Sequence, residues 1–582
     1  MIRSKKLISL LLICAMILMT VACGKDEDDK KNKPTATPVA TEEPTKAPDK
    51  PTEDPTPTPT EAPTATPTPT VSPWPEEGCD ILFPTRELYH YDMNLQLDPE
   101  KRTVGGQFVF EFYNDSCDNW NELCLRDYSS LFIDAKTAGY DPKEYKPNGA
   151  LTEISNVKDG RDDSALTVKR DKDVSVVWIK LAKPLAPGEK MTLSYDFSAK
   201  IPTVSDRYGV YKDVYNVTNF YPILAEYDQN GWSHEGFINC GECFYSEVSN
   251  YDVRITVPNG FLVASTGTET KKEDNGESTT YTFTAPCVRD FVFSASDQFV
   301  KKEADYDGVR VNLFYPKFMD EDEYWGDSVF GNVMDAAAET TLKAAEDSLA
   351  AFGEAFGKYP YEELDVIIAR IDAGGMEYPN LIIITDHECH PVITLDAMES
   401  AGEDEDPAPT FYELETCVAH EIGHQWFMGI VGSNSGMEPW LDESITSYTE
   451  LVFAEYRAQK KGTEAVAVSR MGRKVMDMCD VTQLKYLMQR GMIPFNQAYY
   501  EFNTDNDYIS AIYQGCQRAL YQMEEILGRK EFHSILREYV RRNAFTNSTA
   551  SKFFEVLYEY AGKDNEDLNR LIANVFDMDR VK

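Results

Sequence analysis

Positive charge is scarce in this 582-residue chain: 57 Lys and Arg stand against 98 Asp and Glu, a net charge of −41. Residues 1–75 carry 9 basic and 10 acidic side chains, which leaves 48 and 88 for the rest, a net of −40. The deficit therefore belongs to the folded region. It makes nucleic acid and anionic membrane surfaces poor partners and favours solubility, with cationic peptides attracted at low salt. Long apolar runs are scarce too, and the run from Leu7 to Ala22 is short for crossing a bilayer. No thioredoxin-like context surrounds Cys240-Gly241-Glu242-Cys243, so that pair reads as a local disulfide or two free thiols. Residues 24–75 lack the composition of a core: 13 of the 31 prolines fall between Pro34 and Pro75, among Thr, Ala and Glu.

What the N-terminus does contain is an address. Arg3, Lys5 and Lys6 precede the apolar stretch Leu7 to Met19, which ends at Thr20-Val21-Ala22-Cys23-Gly24. This is the pattern of a bacterial lipoprotein signal over 1–23, with Cys23 as the lipidated residue and Thr20 atypical; the alternative is a retained membrane anchor. Polyproline-like extension at ~3.1 Å per residue over roughly 40 residues of the 24–75 linker reaches on the order of 120 Å. The expectation is a folded region held at the cell surface by a membrane lipid anchor and a stalk, on which repeated Thr-Pro could carry sugars.

The chemistry is concentrated in His420-Glu421-Ile422-Gly423-His424 and in Glu443, inside Trp440-Leu441-Asp442-Glu443-Ser444. Residues four apart share a helix face, so His420 and His424 can address one metal ion, with Glu443 as third ligand. Two His and a carboxylate leave zinc's fourth position for water, and Glu421 is placed to take that water's proton during attack on a carbonyl. The pattern reads as a zinc hydrolase site with one ion.

Other segments fit around it. Gly374-Gly375-Met376-Glu377-Tyr378-Pro379 lies between two strand-like runs, Leu364 to Ile371 and Leu381 to Ile384. Paired glycines let a backbone approach a ligand, and Glu377 is either a rim carboxylate suited to a peptide's free ammonium or an ordinary turn residue. Glu450 follows Glu443 by two helical turns, where it either accepts a hydrogen bond from a ligand His or stands solvated. His387-Glu388-Cys389-His390 offers ligand types at a spacing that matches no zinc pattern, and reads as loop. Glu403-Asp404-Glu405-Asp406 reads as a solvated loop.

On these motifs, residues 80 to 545 resemble the aminopeptidase N family of gluzincin zinc metallopeptidases, which includes leukotriene hydrolase. The family's Gly-x-Met-Glu-Asn resembles Gly374 to Tyr378. Its His-Glu-x-x-His and downstream Trp-Leu-Asn-Glu-Gly resemble His420 to His424 and Trp440 to Ser444, with the same eighteen-residue gap between second His and third ligand. The resemblance implies that Glu377 anchors the substrate α-amine, that Glu450 matches a family carboxylate, and that a Tyr stabilises the oxyanion. Tyr513 in Ile512-Tyr513-Gln514-Gly515-Cys516 fits that register, with Tyr508 as the fallback. Four positions depart from the family pattern: Tyr378 and Asp442 replace Asn, Ser444 replaces Gly, and Gly515 stands where Lys is common. These put substrate positioning and side-chain preference in question, not hydrolysis.

The expected fold is multidomain α+β. An antiparallel β-sandwich-like domain spans 76–300, read from alternation at Tyr89 to Leu97, Phe108 to Phe112 and Val253 to Val257. A thermolysin-like, mainly helical catalytic domain spans 301–582, with strands at Val311 to Tyr315 and Leu364 to Ile371. Its expected helices are Asn332 to Phe356, Glu415 to Met428, Glu443 to Arg457, Arg518 to Leu527, Glu531 to Arg541 and Lys552 to Ala561. Too few residues remain for the family's large C-terminal helical domain, which implies a more open cleft. The function expected is a zinc aminopeptidase acting on peptides; a thermolysin-like endopeptidase and a non-catalytic surface peptide-binding protein are the alternatives.

Overall fold

Alternating apolar and polar residues build the first domain. The structure, a computed structural model, describes residues 81–141, 151–317, 333–389, 411–461 and 478–581, except 235, 239, 240 and 243. The signal segment, the Pro-rich stalk, the Cys240/Cys243 pair, His390 and the Glu403 to Asp406 run lie outside these residues. Strand β1 (Tyr89–Asp98) buries Tyr91, Met93, Leu95 and Leu97, and β2 (Thr103–Tyr113) buries Phe108, Phe110 and Phe112 on the same side. The Tyr91 ring stacks on Phe110 at 4.0 Å and on Tyr251 at 4.7 Å, between ring centroids. The principal sheet has eight strands; two four-stranded sheets contribute Leu123, Val177, Val217 and Phe293 to a common core, and a two-stranded ribbon pairs Tyr227 with Trp232.

One pairing departs from the antiparallel expectation. Strand β3 (Ser249–Pro258) runs parallel to β1, with Met93 opposite Val253. A parallel pair needs a long crossover, and the strands between β1 and β3 supply it.

The second domain is organised on a five-stranded sheet made of β4 (Phe299–Tyr306), β5 (Val309–Pro316), β6 (Glu363–Ala369), β7 (Gly375–Met376) and β8 (Leu381–Thr385), in the order β4-β5-β6-β8-β7. Strands β5, β6 and β8 are parallel, and β4 and β7 close the edges antiparallel. Every residue of β6 and β8 is buried, as expected of strands covered on both faces. One face of the sheet packs into the helical core, next to α1 (Val333–Phe356) and α2 (Tyr412–Gly423), and the other packs on Val214, Ala264 and Val292 of the β domain; α3 (Ile445–Lys461), α4 (Gln517–Leu527), α5 (Arg529–Asn543) and α6 (Ala550–Ala561) build the rest of the helical part.

Near the site, three of the expected helices begin or end in turns that are not α-helical. The helix expected to run to Met428 ends at Gly423: Phe427 (φ −108°, ψ 63°) and Met428 (φ 165°, ψ −56°) leave helical space, and Gly429 N donates to His424 O. The chain then enters a two-residue strand, Val431–Gly432, paired with Thr546–Asn547. The helix expected from Glu443 begins as a wider turn at Trp440–Ser444 and extends as α3 to Lys461. The helix expected from Arg518 is preceded by another wide turn, Ser510–Cys516, that carries Tyr513. Such widened turns re-aim side chains and recur at functional sites.

Arg289 ties the domains together. Its buried guanidinium donates to Met428 O (2.8 Å), Thr546 O (2.7 Å), Ser246 O (3.1 Å) and Asn547 Oδ1 (2.5 Å). A Cβ at Gly432 would come within 2.1 Å of Arg289 Cζ, so glycine there makes room for the guanidinium.

Candidate metal centre and cleft

Helix α2 is buried along Thr416–Gly423, so its histidines are aimed by packing on all sides. Gly423 faces α3, where a Cβ would stand 2.3 Å from Thr449 Oγ1 and 3.1 Å from Thr446 Cγ2. Glycine lets the two ligand-bearing helices approach. The result is a small triangle: His424 Nε2 is 3.2 Å from His420 Nε2 and 3.3 Å from Glu443 Oε2, and His420 Nε2 is 3.4 Å from Glu443 Oε2. A tetrahedral zinc ion with bonds of about 2.0–2.1 Å sets its ligand atoms about 3.3–3.4 Å apart, so the triangle fits one such ion. Glu443 Oε2 is buried and has no aligned hydrogen-bond donor, consistent with a metal ligand.

The electrostatics agree. Burial alone would lower both imidazole pKa values, but Glu443 and Glu450 hold His420 up at about 9, and Glu377, Asp442 and Glu443 hold His424 well above the usual range. Burial alone would raise Glu443, and the two histidines hold it below the usual carboxylate range. The pocket is built for positive charge, which a divalent cation supplies with both rings neutral. Glu450 Oε1 is 2.9 Å from His420 Nδ1, leaving Nε2 to face the triangle.

A cleft of about 450 Å³ opens over this triangle, and Gly374, Gly375, Met376, Glu377, Glu421, Glu450 and Tyr513 all line it. Edge strand β7 brings in the glycine segment. Gly374 O accepts from Thr385 N (2.9 Å) and from the Cys417 thiol (3.3 Å). The turn after it is tied to the residue beside His424, because Gln425 donates to Tyr378 O (3.1 Å) and accepts from Asn380 N (2.9 Å). Glu377 is 4% exposed and its Oε1 has no hydrogen-bond partner. Burial pushes its carboxyl well above the usual range, with His424 opposing.

Tyr513 stacks on His420, ring centroids 6.1 Å apart and 23° between planes. Burial and the Glu443 carboxylate push its hydroxyl pKa up, so it stays a donor. Tyr508 lies behind it, edge-on at 6.2 Å, and does not line the cleft.

None of the four family departures lines the cleft either. Tyr378 donates to Asn219 Oδ1 (2.8 Å) and anchors the turn to the β domain. Ser444 donates to Ile512 O (2.7 Å), joining the turn that carries Glu443 to the turn that carries Tyr513. Gly515 packs on Phe495, whose ring would stand 2.8 Å from a Cβ there, so a lysine has no room. Asp442 is buried behind His424. His387 is in a short helical turn after β8 with buried Cys389, and neither belongs to a metal-compatible group among the described residues.

The sequence reading missed a charged pair that lines the cleft. Glu242 and Arg207 come from the β domain, and Arg207 Nη1 donates to Glu242 Oε1 (2.8 Å) and to Met376 Sδ (3.2 Å). Glu242 Oε2 is buried without a partner, and burial raises the carboxyl to about 6 against the pull of Arg207. In the sequence Glu242 lies between Cys240 and Cys243 and belongs to no metal or amine-binding motif.

A helix-borne His-His-Glu triangle with an adjacent glutamate, set against a mixed sheet, defines the gluzincin class of zinc sites. Residues 340–576 match the Peptidase family M1 domain. The chain is 25% identical over 231 residues to Aminopeptidase M1-B of Oryza sativa subsp. japonica, covering 39% of this chain and 24% of that protein. It is 25% identical over 239 residues to Aminopeptidase B of Homo sapiens, covering 39% and 32%. The chain thus spans a third or less of these relatives' own lengths. In architecture it is similar to a mutant M1 zinc metallopeptidase from Deinococcus radiodurans, with a TM-score of 0.54 at 15% identity over 84% of this chain and 94% of that one. Over residues 340–576 the chain is thus similar to peptidase family M1, a family of zinc metallopeptidases.

Proposed function

We propose that this protein is a zinc aminopeptidase that removes N-terminal residues from peptides. One observation carries the reading: two buried carboxylate oxygens without partners, Glu377 Oε1 and Glu242 Oε2, line the same cleft as the metal triangle. An ammonium group has donors enough for both, and a free peptide N-terminus is the cation that this cleft can place beside Glu421.

His420, His424 and Glu443 hold the zinc, which when bound supplies a Lewis acid that polarises a carbonyl and makes water acidic. Glu421 takes the proton of the attacking water and returns it to the nitrogen of the departing peptide. Tyr513 donates a hydrogen bond to the oxyanion. Glu377 and Glu242 fix the amine and so set where the chain is cut.

The test compares a peptide with its N-acetylated twin, on zinc-loaded protein and on Glu421→Gln. Cleavage of the free peptide alone, lost in the variant, is the expected result. Internal cleavage of both peptides would make it an endopeptidase, and a wild-type protein without zinc or turnover would make it a binding protein.

For its location, we propose that Cys23 carries lipid and that the Pro-rich segment holds the catalytic domains away from the membrane. The basic residues before Leu7, the short apolar run and Val21-Ala22 before the cysteine support this. Among the described residues no helix is long and apolar enough to cross a membrane. Retention of Cys23→Ala in the membrane fraction at the wild-type level would count against lipid anchoring.

A further inference from the structure

We infer that Asp442 is a positioning residue for the zinc ligand His424, making this a centre in which both histidines are backed by carboxylates. The inference rests on the zinc reading above and extends it to a residue the family pattern leaves as Asn.

The geometry is specific. Asp442 Oδ1 is 2.8 Å from His424 Nδ1, and both side chains are buried. The carboxylate is off the axis of the ring N–H, which also meets Phe427 O (3.4 Å) and Thr446 Oγ1 (3.1 Å). The contact is therefore electrostatic, in a place where water cannot screen it. Ser435 Oγ donates to Asp442 Oδ2 (2.6 Å), which turns Oδ1 toward the ring. His420 also has a carboxylate behind it, there as an aligned hydrogen bond, with Glu450 Oε1 at 2.9 Å from its Nδ1. In both rings Nδ1 faces an acid and Nε2 faces the triangle. A negative charge behind an imidazole fixes the proton on Nδ1, orients the ring and makes Nε2 a stronger donor to the metal. Asn at 442 can supply the oxygen but not the charge.

Glu377, His424 and Asp442 also gather ligand atoms within 4.8 Å of one another, so a metal held by that trio is the competing explanation of the same contact.

The test uses the full chain and measures zinc affinity by competition with a chromophoric chelator, zinc per chain by elemental analysis, and melting of the zinc-free protein. Asp442→Asn is expected to keep one zinc per chain and bind it about tenfold more weakly, the lower end of the effect of losing such a partner, with the zinc-free melting temperature unmoved. Ser435→Ala, which only frees the carboxylate, is expected to weaken zinc roughly threefold, and it carries the test if Asp442→Asn does not fold. Unchanged affinity overturns the inference, whether or not the fold is destabilised. So does a fall from two zinc ions to one in Asp442→Asn, which would make Asp442 a ligand. A wild-type chain that binds no zinc would overturn the zinc reading itself, a separate result from either.

Discussion

Gly375 lies directly against Glu421: a Cβ on Gly375 would stand 2.3 Å from Glu421 Oε1 and 2.5 Å from its Cδ. The glycine of the substrate-side strand and the acid of the metal helix are thus one fitted contact. Gly375→Ala is expected to push the Glu421 carboxylate from its place and to lower kcat by about 10²-fold, within the range for general-base catalysis, while zinc content stays at one per chain. A steady-state assay beside elemental analysis separates the two effects.

Tyr513→Phe removes one hydroxyl from a ring that keeps its stacking on His420. If the hydroxyl serves the oxyanion, kcat falls about 10²–10³-fold with KM nearly unchanged. A loss confined to KM would assign the hydroxyl to substrate binding.

Glu450→Gln keeps an acceptor beside His420 Nδ1 and removes its charge. Zinc affinity is expected to fall about 10-fold or more, the scale for such partners. Chelator-driven zinc loss should speed up accordingly.

Arg289 has a different role, since it satisfies backbone carbonyls of two domains from a buried position. Arg289→Met leaves Met428 O, Ser246 O and Thr546 O without this donor and is expected to cost about 3–5 kcal/mol. Denaturant unfolding measures it.

His533 supplies the pH dependence. Burial lowers its pKa to about 4 from an ordinary 6.5, with its ring 3.1 Å from the Tyr448 hydroxyl. Between those values the unfolded chain binds the proton and the folded chain does not, so stability falls as the pH drops from 6.5 toward 4. The contribution is on the order of 3 kcal/mol. Unfolding at pH 7 and pH 5 should show a smaller difference in His533→Gln than in the wild type.

Short-range pattern made some of this architecture legible. Alternation at Tyr89 to Leu97 marks a strand because side chains alternate across a sheet, and β1 follows it. His420 and His424 share a face because four residues nearly complete a helical turn, and the structure brings both to Glu443. The parallel pairing of β1 with β3 and the end of α2 at Gly423 were not legible in this way, because each depends on a partner far along the chain.

Residue type and spacing by themselves determined the metal chemistry, the order of a β-rich part followed by a mainly helical part, and the acidic character of the folded region. Tertiary structure alone decided that Glu242, 135 positions before Glu377, enters the same cleft, that Asp442 stands behind His424 rather than before a substrate, and that Gly515 excludes a lysine. The reason is physical. Periodicity reports which side of its own element a residue occupies, whereas a site is made where sides of different elements meet, and that meeting is set by packing across the whole core.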